Sequence, residues 1–177
     1  MGHAKVIKSA FTPKRPLDKD LLIDEIQLIG KYGLKNKHEL RVFQKISDDI
    51  KRKARDVLIS TNKDDLLVVG RDLLKRLINM GVINDLDFTD KMAVTNNLER
   101  VLDLTVDQFL ERRLQHRVFE AGIANSVHHA RVLICSRNIC VGGKIITQPG
   151  MIIGAEDEPY IEINSRKKKN QVVEEEE

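Results

Sequence analysis

The chain has 177 residues, of which 41% are hydrophobic, 32% are charged and only 4% are aromatic, and its net charge at pH 7 is +3. This length suits one large domain or two small ones, and the shortage of aromatic side chains predicts small cores. There is no run of about eighteen apolar residues to span a membrane and no apolar signal core near the N-terminus, so we expect no membrane partner and no secretion.

Residues 1–17 read as an extended basic arm. The segment has no acidic residue, and its two prolines disfavour a helix. Two interpretations are equally favoured by charge alone: an arm that becomes ordered on RNA, or a solubilising tail. Its basic residues are Lys5, Lys8, Lys14 and Arg15.

Residues 18–104 are predicted to form a helical subdomain. Apolar spacing predicts one helix from Asp18 to a stop at Gly30, a second over 37–60, and a third over 66–80 that stops at Gly81. Residues 82–104 show no clear period and are expected to be irregular, with an acidic loop around 85–90. That loop lacks the glycine and distal glutamate of a calcium-binding loop.

Residues 105–164 are predicted to form a second, smaller domain. Thr105 and Gln108 make a capping box for one helix that runs to a stop at Gly122, and Ser126 is placed to cap a second helix. A two-glycine turn at 142–143 predicts a hairpin of 139–141 with 144–146. Further strands are expected at 151–153 and 160–163, which makes the predicted fold class α+β.

Positive charge is concentrated in this second domain. From Arg112 to Lys144 there are six Lys or Arg residues and one acidic residue, Glu120. A helical wheel places Arg113 and Arg117 inside the apolar arc, where burial of an unpaired guanidinium is prohibitive, so both are expected to reach outward from the core edge. Two interpretations remain for them: alkyl stems that cover apolar surface, or forks aimed at phosphates.

The same wheel places Arg112 on the solvent side. His128 and Arg131 on the following helix are expected to share one face with these arginines, beside the anion-favouring helix start at Ser126. Uneven positive charge of this kind favours RNA as the ligand.

Cys135 and Cys140 are the only two cysteines. They are too few for a disulfide framework or a zinc site, and we expect both to be small core residues in a reducing compartment. No metal and no cofactor are expected. Residues 165–177 begin with RKKK after Ser165 and end in four glutamates, and this charged tail is expected to be disordered in isolation.

Three sequence motifs, called words below, resemble motifs of the S-four RNA-binding domain. FLERRLQ, SVHHARVLI and RNICVGGKII match its helix, helix and hairpin in order and spacing. More widely, TPKRPLDK, LIGKYGLKNKHEL and LLKRLINMGVI resemble the arm, first turn and third helix of the small-subunit ribosomal protein S-four family. The resemblance is to its eukaryotic and archaeal branch, called S nine in eukaryotic nomenclature.

The resemblance implies a structural constituent of the small ribosomal subunit that binds ribosomal RNA, supports assembly and lies near the messenger RNA entrance. Its implied partners are small-subunit ribosomal RNA, neighbouring small-subunit ribosomal proteins and nearby messenger RNA, without homo-oligomers. The implied location is the cytoplasm, and the nucleolus during assembly if the source is eukaryotic.

The predicted RNA-facing residues come from three sources. The arm contributes Lys14 and Arg15, and the wheel contributes Arg117. The positions carried over from the family words are Arg112, Arg113, Ser126, His128, His129, Arg131, Arg137, Asn138 and Lys144.

Two other classes compete with this assignment. S-four domains also occur in RNA-binding accessory factors and RNA-modifying enzymes, but 177 residues leave no separate catalytic domain, and no catalytic arrangement can be assembled, so we expect no enzyme. A helix-turn-helix DNA-binding protein would explain the two helices but not the hairpin. Some bacterial members of the family carry zinc-binding cysteines near the N-terminus, and this chain has none there.

Overall fold

The computed structural model describes residues 9–60, 63–83 and 91–164. Within these residues the chain forms seven α-helices, a short 3-10 helix and a three-stranded antiparallel sheet, which confirms the predicted α+β class. The chain divides into two compact units. Unit one comprises Met1–Leu73 and Asp87–Asp107, and unit two comprises Leu74–Leu86 and Gln108–Glu177.

Unit one is helical in the part that the structure describes. It contains α1 (Lys19–Tyr32), α2 (Lys37–Ile59), the first part of α3 (Lys63–Asn79) and α4 (Lys91–Leu102). Both α1 and α4 pack on α2. The buried face of α2 carries Leu40, Phe43, Ser47, Ala54 and Val57, and the bounds of α2 agree with the helix predicted over 37–60.

The first helix extends past its predicted stop. Gly30 remains helical, and the left-handed residue that ends α1 is Gly33, with φ of 59°. The extra turn buries Tyr32, which is 1% exposed, and the chain then buries Leu34. The apolar content of this turn therefore outweighs the weak helix propensity of Gly30. Ile26, an apolar residue of α1, is 61% exposed.

Helix α4 corrects the prediction of irregular structure for residues 91–102, which form part of the 82–104 segment. Val94, Leu98 and Val101 lie at helical spacing and are all fully buried. These three residues make only a short apolar pattern, which is hard to recognise next to the acidic stretch that precedes it in the sequence. The predicted acidic loop at 85–90 lies outside the described residues.

Unit two holds the sheet and the helices around it. Besides the end of α3, it contains most of α5 (Val106–Glu111), then α6 (Leu114–Glu120), α7 (Val127–Cys135), β1 (Ile139–Val141), β2 (Lys144–Ile145), the 3-10 helix η1 (Glu158–Tyr160) and β3 (Ile161–Ile163). Helices α6 and α7 pack together. One apolar core joins these elements, formed by Leu114, Val118, Ala124, Ala130, Ile134, Ile139, Val141, Ile153 and Ile161.

The helix predicted to run unbroken from Thr105 is instead two helices. The break lies at Arg113, whose backbone is extended with φ of −69° and ψ of 143°. The extended residue forms an antiparallel bridge with Ile152, and the Leu114 N–H donates to the Met151 carbonyl at 2.8 Å. Residues 151–153, predicted as a strand, form only this isolated bridge. The pairing does not extend, because the chain is helical on both sides of Arg113, in α5 and in α6.

The predicted hairpin is confirmed. Strand β1 is central and pairs antiparallel with β2 on one side and β3 on the other. Gly142 and Gly143 have φ of 54° and 75°, which is the left-handed pair that a two-residue turn of this twist requires. Tyr160, predicted as part of the last strand, ends η1 instead.

Candidate nucleic-acid interface

The start of α7 is capped as predicted. The Ser126 hydroxyl accepts a hydrogen bond from the His129 N–H at 3.1 Å. The His129 ring turns back to this cap, where its Nδ1 accepts from the Asn125 N–H at 3.3 Å. His128 is exposed and lies three residues before Arg131, so the two share one face of α7.

Arg131 is half-buried and held by a neighbour on α6. Its Nη1 donates to the Gln115 Oε1 at 3.2 Å. The Gln115 Nε2 in turn donates to the Val127 carbonyl at 2.9 Å, at the start of α7. The amide of one buried glutamine therefore bonds both to the helix and to the arginine that the helix carries.

Arg137 ends α7 in the left-handed conformation, with φ of 63°. The Asn138 N–H donates to the Leu133 carbonyl and the Arg137 N–H to the Ile134 carbonyl, which is the Schellman pattern of a helix end. Asn164 fixes this turn through its side-chain amide, which donates to the Arg137 carbonyl at 3.3 Å. The Arg137 side chain is exposed, and Asn138 is half-buried.

Lys144 is exposed directly after the hairpin turn, paired in register with Val141. Arg137 precedes β1 and Lys144 pairs with its last residue, so the two lie toward opposite ends of that short strand. Together with His128 and Arg131, they form what we call the outer basic set: His128, Arg131, Arg137 and Lys144.

Arg112 lies inside unit two, not on the solvent side as the wheel predicted. It is 7% exposed. Its Nη1 donates to the Glu158 Oε2 at 2.8 Å, and its Nη2 donates to the Ile153 carbonyl at 3.0 Å. Gly81 lies against the guanidinium, where a Cβ would come within 2.7 Å of Arg112 Cζ. Any larger residue at position 81 would displace this arginine.

Arg117 converges on the same carboxylate. Its Nη1 lies 3.2 Å from the Glu158 Oε1 and also pairs with Glu120, while its Nε donates to the Glu111 carbonyl at 2.8 Å. Partial burial of Glu158 disfavours its charged form, but hydrogen bonds and charge from Arg112 and Arg117 outweigh this and lower the pKa of Glu158. Arg112, Arg117 and Glu158 are called the Glu158 cluster below.

Arg113 is 1% exposed, so the prediction that it reaches out from the core edge is wrong. The helical wheel assumes one continuous helix. The backbone at Arg113 is extended, so the direction of its side chain does not follow the wheel. Arg117 is intermediate, with a side chain that is 17% exposed and already occupied by carboxylates and a carbonyl.

The arm residues belong to unit one. Lys14 and Arg15 are exposed, and the Phe11 N–H donates to the Arg41 carbonyl at 2.9 Å. Lys5 and Lys8 lie outside the described residues. RNA contact by any of the predicted positions stays a prediction.

Three residues that matter in this site were not predicted to belong to it: Gln115, Gly81 and Glu158. Gln115 lies within a quoted family word, but only its 1% exposure marks it as a buried polar group. Glu158 is 46 positions from Arg112, and nothing local links them. Gly81 was recognised as a helix stop, which it is, with φ of 68°, but not as the neighbour of Arg112.

The cysteines only partly match their predicted place in the core. Cys135 is exposed and Cys140 is intermediate. Cys135 is the last residue of α7. Among the described residues, no three His, Cys, Asp or Glu side chains are grouped so as to hold a metal ion. No helix in the same residues is long and apolar enough to cross a membrane.

Comparison with known families agrees with this geometry. The family model of the S4 domain, the S-four RNA-binding domain of the sequence words, matches residues 112–159. An S4 RNA-binding domain is therefore present in the chain. The matched span includes the Glu158 cluster, the outer basic set and the hairpin, while β3 follows it.

Proposed function

We propose that this chain is an RNA-binding protein whose S4 domain contacts RNA through the outer basic set. One observation carries the assignment of the surface. Of the six Lys or Arg residues between Arg112 and Lys144, Arg112 and Arg113 are buried, and Arg117 is paired with carboxylates. The three that remain are Arg131, Arg137 and Lys144, all in the outer basic set.

The physical basis is attraction to a polyanion. Each phosphate that a Lys or Arg neutralises releases counterions, so three contacts correspond to a slope of log affinity against log salt of about −2 to −3. Such contacts recognise the RNA backbone and helix shape more than base edges. His128 adds an exposed polar ring to the same face of α7.

We further propose that the protein is a non-catalytic constituent of the small ribosomal subunit. It would bind ribosomal RNA and neighbouring subunit proteins near the messenger RNA entrance, in the cytoplasm and, if the source is eukaryotic, in the nucleolus during assembly. The support is the resemblance of the N-terminal words, which lie outside the S4 match. Separate S4-containing enzymes and accessory factors have no reason to share those words.

Crosslinking the protein to RNA in cells and sequencing the recovered fragments tests both levels. One small-subunit rRNA locus, with co-sedimentation of the protein with that subunit, is the expected result. Recovery of scattered transfer RNA instead would support an accessory factor or an RNA-modifying enzyme subunit. A variant with Arg131→Ala and Lys144→Ala should crosslink less, whereas Lys53→Ala, an exposed cation on α2, serves as the matched control.

A further inference from the structure

Gln115 is a buried polar residue with a defined geometry. It lies on α6, is 1% exposed, and bonds to α7 at both ends of its amide. A primary amide buried without partners is strongly disfavoured, so a glutamine at such a position depends on bonds that satisfy it. An apolar residue of similar size would fill the same space between the two helices without that requirement.

The orientation of the amide follows from these two hydrogen bonds. The Val127 carbonyl accepts and therefore faces the Nε2 group, while the Arg131 guanidinium donates and therefore faces Oε1. The reverse orientation would set oxygen against oxygen and N–H against N–H. The chemistry of the two partners thus fixes which way Gln115 presents its acceptor to Arg131.

We infer that Gln115 is a positioning residue for RNA binding, which holds Arg131 in the rotamer that meets an RNA phosphate. The inference rests on the proposed function of the outer basic set. A free arginine has many rotamers and must lose them on binding, whereas a guanidinium already bonded to a rigid acceptor loses fewer. Because the guanidinium is planar, the hydrogen bond that holds the Arg131 Nη1 also restricts the plane in which its other donors lie.

The test is a double-mutant cycle on binding to small-subunit ribosomal RNA transcribed in vitro. Gln115→Met keeps the side-chain length but removes both hydrogen bonds. It should weaken binding about three- to tenfold, as Arg131→Ala does, and the double variant should bind no more weakly than Arg131→Ala alone. Gln148→Met, an exposed glutamine of unit two, is the matched control and should bind as the unmodified protein does.

The outcomes separate the two proposals. If Arg131→Ala weakens binding and the Gln115→Met loss simply adds to it, Gln115 acts elsewhere and the positioning role is overturned, while the proposed surface stands. If Arg131→Ala binds with unchanged affinity and salt dependence, the proposed surface is wrong and the positioning role falls with it.

Arg131→Lys gives a second measurement that does not depend on tolerance of Gln115→Met in the core. Lysine retains the charge but replaces the planar fork with a single ammonium, so it cannot copy the geometry that Gln115 imposes. Weaker binding with a nearly unchanged salt slope is expected. Binding equal to that of the unmodified protein would overturn the positioning role.

Discussion

Two groups of basic residues occupy unit two, and they differ in what faces them. In the Glu158 cluster, Arg112 and Arg117 point at one carboxylate and at backbone carbonyls. In the outer basic set, Arg137 and Lys144 point to solvent, and Arg131 is held by a neutral amide. An arginine paired with a carboxylate offers less net charge to a phosphate, whereas the amide that bonds to Arg131 carries no charge of its own to offset the guanidinium.

The comparison shows why a count of charges along the sequence overstates an RNA-binding surface. The only acidic residue between Arg112 and Lys144 is Glu120, so the segment reads as strongly basic. The chain then brings Glu158 back from outside that segment. Four replacements test the distinction, in order of decreasing expected effect.

The largest effect is expected from Arg112→Met, which retains the apolar stem and removes the guanidinium. The Ile153 carbonyl then loses its donor and Glu158 one of its two arginine partners, so unfolding free energy should fall by about 2–3 kcal/mol. Urea denaturation measures this. The salt slope of RNA binding should not change, and a lower slope with unchanged stability would place Arg112 on the RNA instead. Arg55→Met, an exposed arginine of α2, is the control.

Glu158→Gln should destabilise the protein by about 1 kcal/mol at neutral pH, less than a fully buried pair because Glu158 is 38% exposed and partly screened. The effect should depend on pH. The pKa of Glu158 is lowered from its ordinary 4.5, so the unfolded chain binds more protons and stability is lost as pH falls below about that value.

Urea midpoints measured from pH 7 downward provide the comparison. The difference between the unmodified protein and Glu158→Gln should be constant near neutrality and shrink as pH drops through the lowered pKa. A difference that grows on acidification would contradict the assigned role of the carboxylate.

Arg131→Ala should act mainly on RNA binding, while its effect on the fold is limited to the hydrogen bond that the Gln115 Oε1 loses. Loss of one phosphate contact should reduce affinity about three- to tenfold and make the salt slope shallower by roughly one. Titrations at several salt concentrations provide both values. Replacement of Arg113 should instead lower stability, because Arg113 is buried. Equal salt slopes for Arg131→Ala and the unmodified protein would remove Arg131 from the surface.

The smallest effect is expected from Arg137→Gly. Helices α1 and α3 place Gly33 and Gly81 at the left-handed position where α7 has Arg137. Glycine there should raise unfolding free energy by about 1 kcal/mol while the salt slope falls by up to about one. Arg137→Ala separates the two effects, since it removes the charge without relieving the backbone. If glycine gains no stability over alanine, the left-handed strain is not felt.

Local signals predicted much of the fold. Three predictions that depend on residues close together in sequence are confirmed. They are the cap at Ser126, the glycine pair of the hairpin and the long helical run of apolar residues in α2. The break at Arg113 was missed because its cause is not local: backbone pairing with Ile152, far along the chain, competes successfully with the helix.

The site was predicted less well for the same reason. The Lys and Arg residues in the sequence show where positive charge is concentrated. The structure shows which of these residues are paired with carboxylates or carbonyls and which are exposed. Arg112 and Arg113 are prominent in the sequence words, yet both are buried. A helical wheel predicts that guanidinium groups in this segment meet their partners in solvent or on RNA. For Arg112, the partners are a carboxylate and a carbonyl of the same unit.

One hydrogen bond bears on how this domain should be cut out for separate study. The Ala155 N–H donates to the Asn79 carbonyl at 3.1 Å. Gly81, which follows Asn79 closely in the chain, lies against Arg112. An excised peptide spanning only 112–159 would lack this last turn of α3 and also β3, which completes the sheet. A faithful minimal fragment therefore has to retain residues 74–83 joined by a linker to a segment running from 108 through 164.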